Sequence, residues 1–243
     1  MNILVVNDDG IESVGIKILA THLKKYGNVY VVAPNKVRSG SSHSIVLRES
    51  ISFAKRFMFE GIQSYEISGM PADCFRLAYS LLNIGFDIVF SGVNDGLNMG
   101  TDIFYSGTVA AAREASLYGI PSVAISTDFG CFKIVEDEID MLLDYIFKNK
   151  MYSKDYVLNV NFPKKGYDKS LGYRATKQGI KLYHTVFIED SDKEYRESHS
   201  VLELDQDLDT DVNLAKEGFI TFVPLGLNET NVSKIKDLKK YEK

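Results

Sequence analysis

Two adjacent carboxylates, Asp8 and Asp9, follow the apolar run Ile3-Leu4-Val5-Val6 and precede Gly10. Neighbouring side chains on an extended strand point to opposite faces, so the pair can converge only where the strand ends and the chain bends, as a glycine allows. Two carboxylates held together repel unless something positive sits between them, and a hard divalent ion with oxygen ligands is the usual partner. The bland alternative is that one Asp caps the helix beginning near Ser13 while the other is solvated. Three further polar stretches follow apolar runs or precede a helix. Asn35–Ser44 contains Arg38, Ser39, Gly40, Ser41, Ser42 and His43, which offer a hydroxyl ligand and backbone amides for a phosphate, or simply form a flexible serine-rich connector. Asn94 and Asn98, in Ser91-Gly92-Val93-Asn94-Asp95-Gly96-Leu97-Asn98, bring amide oxygens that join carboxylates around a cation without adding charge. Tyr105-Ser106-Gly107-Thr108 opens a helix of small residues over 109–116, whose first amides suit an anion, although a serine N-cap would explain the same residues. Together these are the parts for holding a divalent ion and a phosphoryl group. No GxxxxGK[ST], no GxGxxG after the first strand and no GxSxG is present, which counts against nucleoside triphosphate, dinucleotide and serine-hydrolase chemistry.

The elements that must position these loops are strand-like runs at 3–6, 29–33, 88–90 and 122–125, alternating with helical stretches. This is the pattern of a mostly parallel sheet covered on both faces, in which ligands bind beyond the carboxyl ends of the strands. Ile16, Leu19, Ala20 and Leu23 form one helical stripe and Ile139, Leu142, Leu143 and Ile146 another. Pro71 predicts a helix over 72–82. Residues 45–67 predict one or two short strands ending in 64–67, and 157–160 a further strand. Beyond it, 172–178 and 181–188 flank Gly179 as the expected arms of a long hairpin, with 189–194 as an acidic loop. A helix at 211–216, a strand at 219–224 and a lysine-rich terminal helix carrying Val232, Ile235 and Leu238 complete the chain. So short a stripe is marginal alone, so the tail is expected to dock on its own body or on another subunit.

The chain has 243 residues, of which 45% are hydrophobic, enough for one full core with an appendage. We divide it into a catalytic core, 1–165, and an arm with an oligomerisation segment that returns to the core, 166–243. A formal charge of -5 leaves no basic stripe for a long nucleic acid and points to small molecules. With no leader-like segment and no apolar run near the roughly 18 residues of a membrane span, a cytoplasmic location without membrane contact is expected. Cys74 and Cys131 form no CxxC and read as reduced structural thiols. His43 reads as a phosphate contact or as a structural or solvated residue, while His22, His184 and His199 show no evident partner.

The motifs closely resemble those of the stationary-phase survival protein SurE family, metal-dependent 5'/3'-nucleotidases. The blocks that carry the resemblance are Asn7-Asp8-Asp9-Gly10-Ile11, Val32-Ala33-Pro34 with Arg38-Ser39-Gly40, Pro71-Ala72-Asp73-Cys74, Ser91-Gly92-Val93-Asn94 with Gly96 and Asn98, and Tyr105-Ser106-Gly107-Thr108-Val109-Ala110-Ala111. Thr210-Asp211 and Pro224-Leu225 extend it to about Leu225. The resemblance implies a Rossmann-like α/β core with a projecting β-hairpin, and a C-terminal segment exchanged between subunits of a homodimer or homotetramer. It implies one divalent metal ion per subunit, Mg2+ or Mn2+, on Asp8, Asp9, Ser39 and Asn94. Gly40, Asn98, Ser106, Gly107 and Thr108 would face the phosphate. Two departures stand out: Glu12-Ser13-Val14 replaces the usual Ala-Pro, and Met70 stands where threonine is common.

The expected reaction is hydrolysis of a nucleoside 5'- (or 3'-) monophosphate, with short polyphosphate as a further substrate. The ion would neutralise a phosphate oxygen and position the water, with Asp8 as the base or water-orienting group. The competing reading is a phospho-receiver signalling module, which also opens with a strand and an acidic pair. That module needs a lysine beyond its fifth strand, and here Ile125 leads to Ser126-Thr127-Asp128. A non-enzymatic nucleotide sensor is the third reading.

Overall fold

The structure, a computed structural model, describes residues 1–242. The first half runs β1 (Asn2–Val6), α1 (Val14–Leu23), β2 (Asn28–Pro34), β3 (Phe53–Arg56), β4 (Gln63–Ile67), α2 (Pro71–Leu81), β5 (Ile88–Asp95) and α3 (Gly107–Leu117). It continues with β6 (Ser122–Thr127), α4 (Phe132–Lys148), β7 (Tyr156–Asn161), β8 (Tyr173–Ala175), β9 (Leu182–Ser191), β10 (Glu194–Leu202), α5 (Asp211–Lys216), β11 (Ile220–Gly226) and α6 (Val232–Lys239). Nine strands make one sheet in the order β3-β4-β2-β1-β5-β6-β7-β11-β8, and β9 and β10 form a separate antiparallel pair. From β4 to β7 every pairing is parallel, while β3 and β11 run antiparallel to β4 and β7. This is the α/β architecture with a projecting hairpin that the sequence pattern predicts.

Strand parity sorts the core into two layers. Ile3 and Val5 of β1 pack with Ile16 and Leu19 of α1 and Ile139 and Leu142 of α4. Leu4 and Val6 pack on the other face with Cys74, Phe75 and Ala78 of α2 and Ala111 and Ala115 of α3. All four strand residues are fully buried, so a one-residue slip in β1 would exchange its two apolar sets.

The expected hairpin arms need correction. Residues 172–178 do not pair with 181–188; instead β8 lies at the edge of the main sheet, parallel to β11. The arms are β9 and β10, and 189–194, expected as an acidic loop, is mostly strand around a two-residue turn at Asp192-Lys193. The second arm, Glu-Tyr-Arg-Glu-Ser-His-Ser-Val-Leu, is exposed along its whole length. With neither face in a core, no apolar alternation marks it as strand.

Candidate active site

The acidic loop continues the parity of β1. Asn7, odd like the residues facing α1, is fully buried, and its amide donates to the Gly10 carbonyl and the Ser13 hydroxyl, both at 2.8 Å. Ser13 caps α1, so neither aspartate is needed there. Gly10, at a φ of 95°, makes the turn. Asp8, even, turns to the other face, where the Thr108 hydroxyl at the start of α3 donates to its Oδ1. Asp9 lies on the opposite side, and its Oδ2 accepts the Asp95 backbone N–H at 3.0 Å.

The helix and loops close in around Asp8. A Cβ on Gly107 would lie 2.9 Å from Asp8 Cβ and 2.9 Å from Pro71 Cγ, so only glycine lets α3 start this close to the carboxylate. Asn35–Ser44 is no flexible connector: the Arg38 N–H donates to the Asp8 carbonyl at 2.7 Å, and the Ser42 N–H to the Tyr105 carbonyl at 3.0 Å. His43 Nε2 lies 2.8 Å from the buried Glu114 carboxylate, which also accepts from Arg76 at 3.2 Å, so His43 has a structural anchor. In β5 one extra residue sits between Ser91 and Asn94 relative to β6. Gly92 occupies this bulge at a φ of 129°, where a Cβ would lie 2.2 Å from the Ile125 carbonyl oxygen. The bulge carries Asn94 to the cleft, and its amide NH2 donates to the Gly96 carbonyl at 2.6 Å, leaving Oδ1 free.

The result is a cleft of about 610 Å3 with Asp8, Ser39, Gly40, Asn94, Asn98 and Ser106 in its lining. Loops separated by as much as 98 positions in the chain, from Asp8 to Ser106, therefore meet as the spacing of polar residues after the strands predicts. Three predicted residues sit differently. Asp9 lines a smaller cleft with Lys36 and Arg56, while its bond from the Asp95 amide keeps it beside the Asn94 turn. Gly107 packs behind Asp8, and the Thr108 hydroxyl is committed to Asp8 rather than open to a phosphate. Ser106 accepts the Val109 N–H at 3.0 Å as the N-cap of α3.

Asp8 is 3% exposed, and among the described residues no lysine or arginine pairs with it. Burial, reinforced by the neighbouring charge of Asp9, pushes its pKa up to about 7, although the hydrogen bonds from Thr108 favour the carboxylate. Burial also raises Asp9, and the charge of Asp95 adds to this, against the bond from the Asp95 amide. Among the described residues no three His, Cys, Asp or Glu side chains gather as a metal cluster. The oxygens here are of mixed type: a buried carboxylate lacking a counter-charge, a free amide oxygen and the Ser39 hydroxyl, with Asp9 at the edge. That donor set fits a hard divalent cation.

Asn98 belongs to a buried network that sequence reasoning missed. Its backbone N–H donates to Asn161 Oδ1 at 2.8 Å, its carbonyl accepts from Asn159 and Asn161, and its amide donates to the Ser126 hydroxyl at 2.8 Å. The signal was available: Asn159 and Asn161 stand two apart, on one face of an otherwise apolar strand. Also missed were Asp102, Tyr183, Thr185, Glu197 and His199, which line the same cleft.

Residues 3–185 match the family described as Survival protein SurE. The chain belongs to the SurE family. A SurE relative named 5'-nucleotidase SurE, from Clostridium botulinum strain Eklund 17B, is 39% identical over 251 residues, with 99% of each chain covered. Another of that name, from C. botulinum strain Loch Maree, is 40% identical over 243 residues, with 95% of each covered. The SurE protein from Aquifex aeolicus, a crystal structure, superimposes with a TM-score of 0.81 at 34% identity, covering both chains completely. The Asp8 loop, the Asn94 bulge and the α3 cap all lie within the part that matches the SurE family.

Proposed function

We propose that this chain is a nucleotidase that hydrolyses nucleoside 5'- and 3'-monophosphates to nucleoside and inorganic phosphate, with short polyphosphate as a further substrate. Membership of a family whose relatives are named 5'-nucleotidases supports the reaction class. The single observation that carries the reading onto this chain is the buried, uncompensated Asp8 carboxylate facing the same cleft as Ser39, Asn94 and the start of α3.

Asp8, Asp9, Ser39 and Asn94 would hold one Mg2+ or Mn2+ ion per subunit. When bound, the ion supplies charge neutralisation at the phosphate and activates the attacking water. The chain's own residues do the rest. The free Oδ1 of Asn94 is held toward the cleft by the bond from its NH2 to Gly96. Asp8 is the water-orienting group, its second oxygen left open because Oδ1 is occupied by Thr108. Gly40, Asn98 and Ser106 contact the phosphate, while Gly107 and Thr108 serve it indirectly by fixing Asp8. Ser126 can donate to the Asn98 amide oxygen as readily as it accepts from the NH2, so a flip of the amide turns its NH2 toward an anion.

Residues 1–165 form the catalytic unit of this reading, and 166–243 the arm and the oligomerisation segment. Phe187 at 67% exposure, with Val232 and Leu238 of α6 at 69% and 68%, supports a homodimer or homotetramer with C-terminal exchange. Among the described residues no helix is long and apolar enough to cross a membrane, in keeping with a cytoplasmic enzyme.

Phosphate release from AMP, measured with and without a chelator, tests the reaction. Release that stops on chelation and returns with Mg2+ or Mn2+ is expected. Chelator-insensitive release would require different chemistry, and AMP binding without release would make the protein a sensor.

A further inference from the structure

The phosphate end of the cleft leaves its other end without a role. There the β9–β10 hairpin contributes Tyr183, Thr185, Glu197 and His199 to the lining. Cross-strand pairing explains why these four share a face. Thr185 is opposite His199, and Tyr183 and Glu197 stand one pleat away on their own strands, opposite Val201 and Phe187. The wall is fixed at its root. The Tyr183 hydroxyl donates to Asp102 Oδ1 at 2.6 Å, and the Lys181 ammonium pairs with the same carboxylate. Asp102 lies in the short 3-10 helix Gly100–Phe104, only a few residues before the Ser106 cap, so the root of the wall is tied to the segment that leads into the phosphate end.

The chemistry of this wall is not that of a second phosphate site. Lys181 is neutralised by Asp102, and Glu197 adds a negative charge facing the cleft. An anion there would be repelled. A flat, neutral heteroaromatic group would instead find the His199 ring, which meets Tyr183 edge-on at 5.0 Å between centroids and keeps 53% of its side chain exposed. It would also find a hydroxyl and a carboxylate able to bond ring nitrogens or sugar hydroxyls.

We propose that this hairpin face is the nucleoside wall of the active site: His199 stacks on the base, and Thr185 and Glu197 hydrogen-bond the base edge or the sugar. The proposal rests on the nucleotidase reading and adds to it that the arm, not the core, sets preference among substrates. It also predicts that polyphosphate is used poorly relative to nucleotides.

His199→Ala tests it, with His199→Phe as the conservative variant that restores a stacking surface. Position 199 is an exposed strand site in which folding is not at stake. AMP is compared with ribose 5-phosphate, which keeps the sugar and phosphate and lacks the base, and AMP binding is followed by calorimetry. The ratio of kcat/KM for AMP to that for ribose 5-phosphate is expected to fall about tenfold in His199→Ala, mostly through KM, and to recover in His199→Phe. An unchanged ratio with unchanged AMP binding would overturn the proposal while leaving the phosphatase intact. If the wild type releases phosphate from neither compound, the nucleotidase reading fails, and the binding of AMP by the variants still decides the wall.

Discussion

The loops at the strand ends and the hairpin that faces them border the same cleft, yet they are held in opposite ways. The Asp8 loop is anchored at every residue: Asn7 is fully buried and bonded twice, Asp8 is bonded to α3, and Asp9 to β5. Apart from the half-buried Tyr183, the hairpin is exposed along both strands, and it is tied down at its root by Asp102 and Thr101. In the proposed reading, the groups assigned to the phosphate sit on a loop bonded at every residue, and those assigned to the variable part of a substrate sit where sequence can change without disturbing a core. The contrast implies that substitutions of similar size should have effects of very different size in the two regions.

Asp8→Asn carries the largest expected effect. Asparagine keeps the shape and can still accept from Thr108, and a neutral amide avoids the desolvation that burial imposes on the carboxylate. The fold should therefore persist, with a melting temperature no lower than wild type in the absence of metal. Turnover of AMP should drop about 10³-fold, since the charge that orients the water and helps hold the ion is gone. Near-normal turnover would remove Asp8 from the chemistry and erase the functional half of the contrast.

Gly107→Ala sharpens the same contrast with one methyl group. The added Cβ would sit 2.8 Å from Ser41 Oγ and 2.9 Å from both Asp8 Cβ and Pro71 Cγ, and neither the proline ring nor the buried carboxylate can rotate away. Overpacking of this kind costs about 1–3 kcal/mol, readable as a lowered urea midpoint at unchanged m. Because the displaced atom is Asp8 itself, kcat should fall about tenfold or more. Wild-type kcat in a destabilised protein would show that the α3 start supports the fold alone.

How much of this was legible in the sequence follows the same division. The parallel strands, the helical stripes and the strand-end clusters could be read because burial on two faces writes itself into composition and period, as in β1 and α4. The convergence of Asp8, Ser39 and Asn94 could be read because ligands collect at the carboxyl ends of parallel strands. The side to which Asp9 turns could not, since it depends on the bend after Asp8. The hairpin was misassigned because its second arm is polar on both faces, and that error hid Tyr183 and His199 from the cleft. His43 needed a partner 71 positions away, Glu114, which no local pattern announces.

The smallest expected effect lies at the tip of the arm. Lys193 adopts a φ of 70° in the two-residue turn between β9 and β10, and the pairing shifts register immediately afterwards at Glu194/Tyr195. A left-handed residue in a turn is a position that favours glycine because a Cβ is strained there. Lys193→Gly should relieve that strain and stabilise the hairpin locally by about 0.5 kcal/mol, the relief being partly offset by the greater freedom of glycine in the unfolded chain. Amide exchange in β9 and β10 should slow about twofold, while the melting temperature and the kcat for AMP stay at their wild-type values. The two readouts separate because the arm opens without the core, so its gain does not reach the global transition. A melting temperature that rose together with hairpin protection would mean that arm and core unfold as one unit, and the division between a rigid chemical end and an independently held recognition end would not hold.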